Sequence, residues 1–132
     1  MQRVAAGFVL ERSKPPMDTS PDRMITEAQI QAVVRRIVAG YAPDQIILFG
    51  SYAYGTPNEH SDLDLLIIKH NAEAKRVERG IAVRQLMWDT DAPAMDILIR
   101  TPEEMTARTA LYYTVEAQAV QKGRILYASS NA

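Results

Sequence analysis

The chain has 132 residues, of which 47% are hydrophobic, and carries a formal net charge of -1, which suits one globular domain with a single core and excludes a disordered chain. It has no cysteine, so disulfides, thiolate metal sites and a cysteine nucleophile are excluded. Without a basic excess, direct nucleic-acid binding is not expected; no apolar run reaches the roughly 20 residues that span a bilayer, so no membrane is expected as partner and the location is expected to be cytoplasmic.

Val4, Ala5, Ala6, Gly7, Phe8, Val9 and Leu10 form an apolar patch behind Arg3. Glu11, Arg12 and Lys14 follow it, and no small-residue cleavage site closes it, so it is not read as a signal peptide. Residues 11–23 are polar and carry three prolines. Residues 1–23 are therefore read as a flexible extension, and residues 24–132 as the folded domain.

A first helix is expected from Thr26 to Ala39, because Ile30, Val33, Val34, Ile37 and Val38 make one apolar stripe. Thr26 and Gln29 have the spacing of a capping box, and Gly40 is expected to end the helix in the left-handed conformation. Gln45 to Phe49 reads as a buried strand broken by Gly50-Ser51, and residues 55–61 as a turn-rich loop. Leu63 to Ile68 reads as a second strand. A charged helix over residues 72–87 follows, with Val77, Ile81 and Leu86 expected inward. Ala94 to Arg100 reads as a third strand, and Thr101-Pro102-Glu103-Glu104 as a capped helix start. A longer helix is expected over Ala107 to Gln121, then a last strand over Arg124 to Tyr127 and a polar tail. Trp88, Tyr112 and Tyr113 are read as core or interface aromatics, and His60 and His70 as loop residues. The alternation gives an α/β (α+β) fold: a mixed sheet of about four strands with helices packed on it.

Asp62 and Asp64 stand at i and i+2 where the second strand begins, so both carboxylates point to one face. Side by side they repel, and a divalent cation removes that cost; Mg²⁺ prefers such oxygen ligands together with substrate phosphates. Gly50-Ser51 closes one strand and opens a helical turn, where free N–H groups and the Ser hydroxyl suit a phosphate. Asp96 is a carboxylate inside an apolar strand. If that strand adjoins the second, three carboxylates meet and can hold one or two Mg²⁺ ions. Taken singly, a Gly-Ser pair or an Asp-x-Asp is uninformative, and only their order and spacing together carry weight.

That joint pattern, Ile46-Ile47-Leu48-Phe49-Gly50-Ser51-Tyr52-Ala53-Tyr54-Gly55 followed by Ser61-Asp62-Leu63-Asp64-Leu65-Leu66, resembles the signature of the DNA polymerase β-like nucleotidyltransferases, in particular the minimal nucleotidyltransferases (MNT). Met95-Asp96-Ile97-Leu98-Ile99-Arg100 resembles that group's third-carboxylate strand, and Gly123-Arg124-Ile125-Leu126-Tyr127 its close. The resemblance covers roughly Thr26 to Tyr127. It implies a Mg²⁺-dependent enzyme with Asp62, Asp64 and Asp96 as catalytic metal ligands and Gly50 and Ser51 on the nucleotide phosphates. It further implies an antitoxin that moves AMP from ATP to a tyrosine of a HEPN-domain RNase toxin. Two alternatives stay open: nucleotide transfer to a small molecule such as an aminoglycoside, and neutralisation by binding alone. Tyr54 stands where many members carry Arg; Arg76, Arg79 and Arg84 are candidates to compensate, though a solvated helix face is the plainer reading for most of them.

Overall fold

In the computed structural model the described residues are 24–130; the extension expected over 1–23 and the last two residues of the tail lie outside them. The elements follow in the order α1 (Glu27–Tyr41), β1 (Gln45–Phe49), α2 (Ser51–Tyr54), β2 (Leu63–Ile68), α3 (Arg76–Gln85), β3 (Met95–Arg100), α4 (Pro102–Thr109), α5 (Val115–Lys122) and β4 (Arg124–Ala128). The strands form one mixed sheet in the order β3-β2-β1-β4. The central pair β1 and β2 is antiparallel, β3 runs parallel to β2, and β4 antiparallel to β1.

Alternation along the strands divides the core. Ile46, Leu48, Leu63, Leu65, Ile67 and Ile99 face the side where α1 brings Ile30, Val33, Val34 and Ile37. Ile47 and Leu66 face the other side and meet Met105 of α4 and Ala119 of α5. Leu65 and Ile67 have no exposed surface, so truncating either to Ala costs about 2–5 kcal/mol.

The start of α1 is as expected: the Thr26 hydroxyl accepts from the Gln29 N–H, and the Gln29 side chain accepts from the Thr26 N–H. Its end is not. The helix continues through Gly40 to Tyr41, and Ala42 takes the left-handed conformation at φ 53°. Gly40 lies under the Leu86 side chain instead: a Cβ there would fall 2.4 Å from Leu86 Cδ2, so Leu86 would have to move aside for it.

The charged helix is shorter than expected and its faces are exchanged. Val77 and Ile81 are exposed, whereas Arg79 and Val83 are buried and Leu86 is half-buried. The buried position goes to Arg79 because four of its five guanidinium N–H groups are answered: Nε donates to the Glu73 carbonyl at 2.5 Å, Nη1 to Glu104 Oε1 at 2.7 Å and to the Ile99 carbonyl at 3.1 Å, and Nη2 to Glu104 Oε2 at 3.2 Å. Arg79 thus ties α3 to β3 and α4 and is no free cation on a solvated face.

The long helix expected after residue 107 is two helices. Thr114 interrupts it, its hydroxyl donating to the carbonyls of Arg108 and Leu111 and accepting from the Ala117 N–H. The turn leaves Tyr112 and Tyr113 exposed and packed edge to face. Trp88 is exposed as well, so none of the three is a core aromatic. The two histidines lie in loops. His70 closes the start of β1 against the end of β2 through Asp44 at 2.8 Å, and His60 sits 3.4 Å from Glu59. Among the described residues no helix is long and apolar enough to cross a membrane.

Candidate active site

The site begins in the register of the two parallel strands. Asp64 on β2 is the direct partner of Asp96 on β3, and Phe49 at the end of β1 is the partner of Asp64 on the other side. Neighbouring strands lie about 4.8 Å apart and paired residues share a face, so the two carboxylates stand abreast at the upstream end of β2. The strand periodicity predicts that adjacency only on condition that the strands are neighbours, and here they are.

Asp64 pays for this position. Its carboxyl titrates above the usual carboxylate range, first because burial removes water from it, then because Asp96 and, third, Asp62 repel its charged form. Asp96 is exposed on the edge strand, which lowers its own desolvation cost below that expected for a carboxylate among apolar neighbours. Asp62 precedes β2, is exposed, and acts on Asp64 more weakly than Asp96 does. Among the described residues no three His, Cys, Asp or Glu side chains are close enough to hold a cation by themselves. A pair of carboxylates with a third nearby leaves coordination positions for phosphate oxygens, and that is how Mg²⁺ is commonly held.

Gly50 is what lets Asp64 sit there. It adopts φ 74°, and a Cβ built on it would fall 2.0 Å from Asp64 Oδ2. Any side chain would therefore displace the carboxylate, and the backbone angle itself disfavours any other residue. Ser51 follows as the first residue of α2, half-buried. The first N–H groups of a helix have no partner within it, so the backbone at residues 51–52 presents donors beside the carboxylates. The turn is anchored from below: the Tyr52 hydroxyl accepts from the Ile25 N–H at 2.9 Å. Tyr54 ends α2 and is 41% exposed, and Gly55 closes it in the left-handed conformation at φ 93°. Gly50, Ser51, Asp64 and Asp96 are thus brought together, with Asp62 at the margin. The donor set is hard oxygen and backbone N–H, which fits a divalent cation and a phosphate chain.

Arg76 and Arg84 are exposed on α3, and Arg79 is committed to Glu104, so the cation that Tyr54 does not supply is not replaced by Arg79. The spacing of motifs gave no sign of the surface beside Asp62. There Ile25, Gln29, Glu59, His60, Ser61, Asp91, Ala92, Pro93 and Ala94 line a cavity of about 370 Å³ with it. These residues come from the start of α1, the segment just before it and two loops distant in sequence, and apart from Ser61 none belongs to the nucleotidyltransferase motifs.

Residues 28–124 match the model of the nucleotidyltransferase domain family. A curated protein of Methanocaldococcus jannaschii, described as "Putative protein adenylyltransferase", is 50% identical over 44 residues, which are 33% of this chain and 30% of that protein. The chain therefore matches less than a third of that relative's length. Among solved structures, a Sulfolobus solfataricus chain described as a "putative nucleotidyltransferase" superposes with TM-score 0.58 at 16% identity, covering 85% of this chain and 86% of that one. A toxin–antitoxin structure solved with AMP-PNP superposes with TM-score 0.51 at 22% identity, covering 80% and 76%. At these identities the superpositions speak for the fold.

Proposed function

The chain belongs to the nucleotidyltransferase domain family, and from that premise we propose that its domain, residues 24–132, transfers AMP from ATP to a hydroxyl of a partner protein. The observation that carries this reading is the register pairing of Asp64 with Asp96 beside a glycine whose missing Cβ makes room for the Asp64 carboxylate. In this reading Asp62, Asp64 and Asp96 hold one or two Mg²⁺ ions, and Gly50 and Ser51 bind the nucleotide phosphates.

A bound divalent cation would neutralise the carboxylates and the triphosphate and favour ionisation of the attacking hydroxyl. The chain's own groups do the rest. The N–H groups at the start of α2 and the Ser51 hydroxyl hold the triphosphate in place. The acceptor oxygen attacks the α-phosphorus, the bond from that phosphorus to the α–β bridging oxygen breaks, and pyrophosphate leaves with the bonding pair. The acceptor proton passes to Asp96, the exposed member of the pair. The arrangement is one of positioning and charge stabilisation, as phosphoryl chemistry requires.

A HEPN-domain RNase toxin as acceptor is supported by the fold shared with structures whose descriptions name toxin–antitoxin complexes, one of them MntA–HepT at TM-score 0.50. A tyrosine of that toxin is the hydroxyl we assign. The test is incubation with Mg²⁺, labelled ATP and the HEPN product of a neighbouring gene, followed by mass spectrometry of the acceptor. AMP on a partner tyrosine, lost in Asp62→Ala/Asp64→Ala, supports the reading. Label arriving from GTP, UTP or CTP instead would remove the AMP assignment. Neutralisation of the toxin by the double variant without any transfer would reduce the chain to a binding-only antitoxin.

A further inference from the structure

Two cavities on the face away from α4 and α5 share Gln29, Asp91, Ala92 and Pro93 and so form one groove. One end is the cavity beside Asp62, with Glu59, His60 and Ser61 in its wall. The other end, about 220 Å³, is lined by Ala32, Val33, Arg36 and Met87 as well as the shared residues. Gly50, Ser51, Asp64 and Asp96 line neither part. The phosphate cradle and the groove are thus different surfaces, and Asp62 is where they meet. In-line displacement needs the attacking oxygen and the leaving pyrophosphate on opposite sides of the α-phosphorus. An acceptor must therefore come to the carboxylates from a surface other than the phosphate cradle.

From Gln29 to Arg36 the groove follows about two turns of α1, roughly 10 Å, and Ile25, just before the helix, extends it toward Asp62; an extended chain covers such a length in about four or five residues. Its chemistry changes along that length. Near Asp62 the charged walls are Glu59 and Asp62, with Asp91 where the two ends adjoin and His60 against Glu59 at 3.4 Å. At the far end Ala32, Val33 and Met87 are apolar, and Arg36 is engaged by Asp89 at 3.2 Å and the Leu86 carbonyl at 3.0 Å. A negative end and an apolar end select a segment with the opposite order of properties.

We infer that this groove is the acceptor track of the transferase. It takes an extended segment of the acceptor protein, with the reacting hydroxyl and a basic residue at the Asp62 end and an apolar side chain over Val33 and Met87. The inference rests on the transfer reading above for its purpose but not for its measurement. Basic and acidic neighbours of the acceptor are discriminated by charge at Glu59 and Asp62, and length is read by the apolar end.

The experiment is fluorescence anisotropy of labelled peptides about six residues long, without nucleotide, on the full chain. Each has one central tyrosine and a terminal leucine, with either arginine or glutamate beside the tyrosine. The arginine peptide is expected to bind about tenfold more tightly than the glutamate one, a difference of about 1.4 kcal/mol. Ala32→Trp, at an exposed position of α1, fills the groove and abolishes binding of both; Glu59→Lys reverses the charge preference. Both variants should keep the wild-type circular dichroism spectrum, and Ala32→Trp its ATP affinity. Absence of peptide binding, indifference to charge, or binding untouched by Ala32→Trp would overturn the inference. So would binding that appears only when residues 1–23 are deleted, which would give the groove to that segment. Self-association blocked by Ala32→Trp would give it to a second copy and overturn the inference too. A chain that binds the arginine peptide yet transfers no AMP would break the activity reading alone. AMP transfer to a protein acceptor unaffected by Ala32→Trp would break the groove assignment alone.

Discussion

Asp96 and Arg100 lie four residues apart on β3, on the same face of the sheet, and the protein handles the two charges in opposite ways. Around Arg100 every charge is answered. Glu116 of α5 is 1% exposed and accepts from Arg100 Nε at 2.8 Å and Arg108 Nε at 3.3 Å. Burial alone would push its carboxyl up; hydrogen bonds from its own backbone and the two guanidiniums outweigh burial and hold it below the usual range. Close by, Glu104 caps α4 and receives Arg79, whose hydrogen bonds bring its carboxyl down to about 2. Around Asp96 nothing is answered: Asp64 and Asp62 add charge of the same sign, and Asp64 titrates upward. One end of the strand is built for cohesion, and the other holds unpaired charge that a cation and a nucleotide can use. Stability and reactivity are separated along about 13 Å of a single strand.

The contrast can be broken by substitution. Asp64→Asn should lower nucleotidyl transfer on the order of 10³-fold, about 4 kcal/mol, while raising the melting temperature of the metal-free protein by removing repulsion. A melting temperature that falls would show that Asp64 is a structural carboxylate and end the comparison. Arg79→Ala should do the reverse. Unfolding in urea should show a loss of about 3–5 kcal/mol, because Glu104 and the Ile99 carbonyl lose their donor, while molecules that remain folded keep their turnover. Gly50→Ala comes next. Its backbone strain costs about 1–2 kcal/mol, and the Cβ must push Asp64 aside, so denaturation and transfer should both suffer. An alanine variant with full transfer would remove the glycine's proposed role.

The smallest effect is in the pH response, where the two ends should have opposite signs. Glu104 has a lowered folded pKa, so its contribution is complete above the ordinary carboxylate range and is lost as pH falls toward about 2. Wild type should therefore lose melting temperature relative to Glu104→Gln over that window. Asp64 has a raised folded pKa, so its charged form destabilises. The gain from Asp64→Asn should be full above its titration and vanish below it, and Mg²⁺ affinity should fall as pH drops through the same range.

Much of this was legible because it is local. The capping boxes at Thr26 and Thr101 and the strand Gln45–Phe49 depend on neighbours within four residues. What was misread depends on partners far along the chain. Gly40 looks like a helix stop, but it lies inside α1 under Leu86, 46 positions on by residue number. Val77 and Ile81 look like a core stripe, yet Arg79 is buried because Glu104 waits on another helix. Residues 111–113 carry neither Gly nor Pro, so nothing in them announces a break; Thr114 imposes it while Glu116 reaches back to Arg100.

By itself, then, the sequence determined the element types and the mixed helix-covered sheet and nominated the residues of the candidate site, because periodicity, capping and motif spacing are short-range properties. It could not decide that β3 lies against β2 in the register that sets Asp96 beside Asp64, nor that Gly50 backs onto that carboxylate. Nor could it bring Gln29, Asp62 and Pro93 to one groove. Those are decisions of tertiary packing, since strand order and loop approach are set by burying both faces of the sheet at once, and no local pattern encodes that.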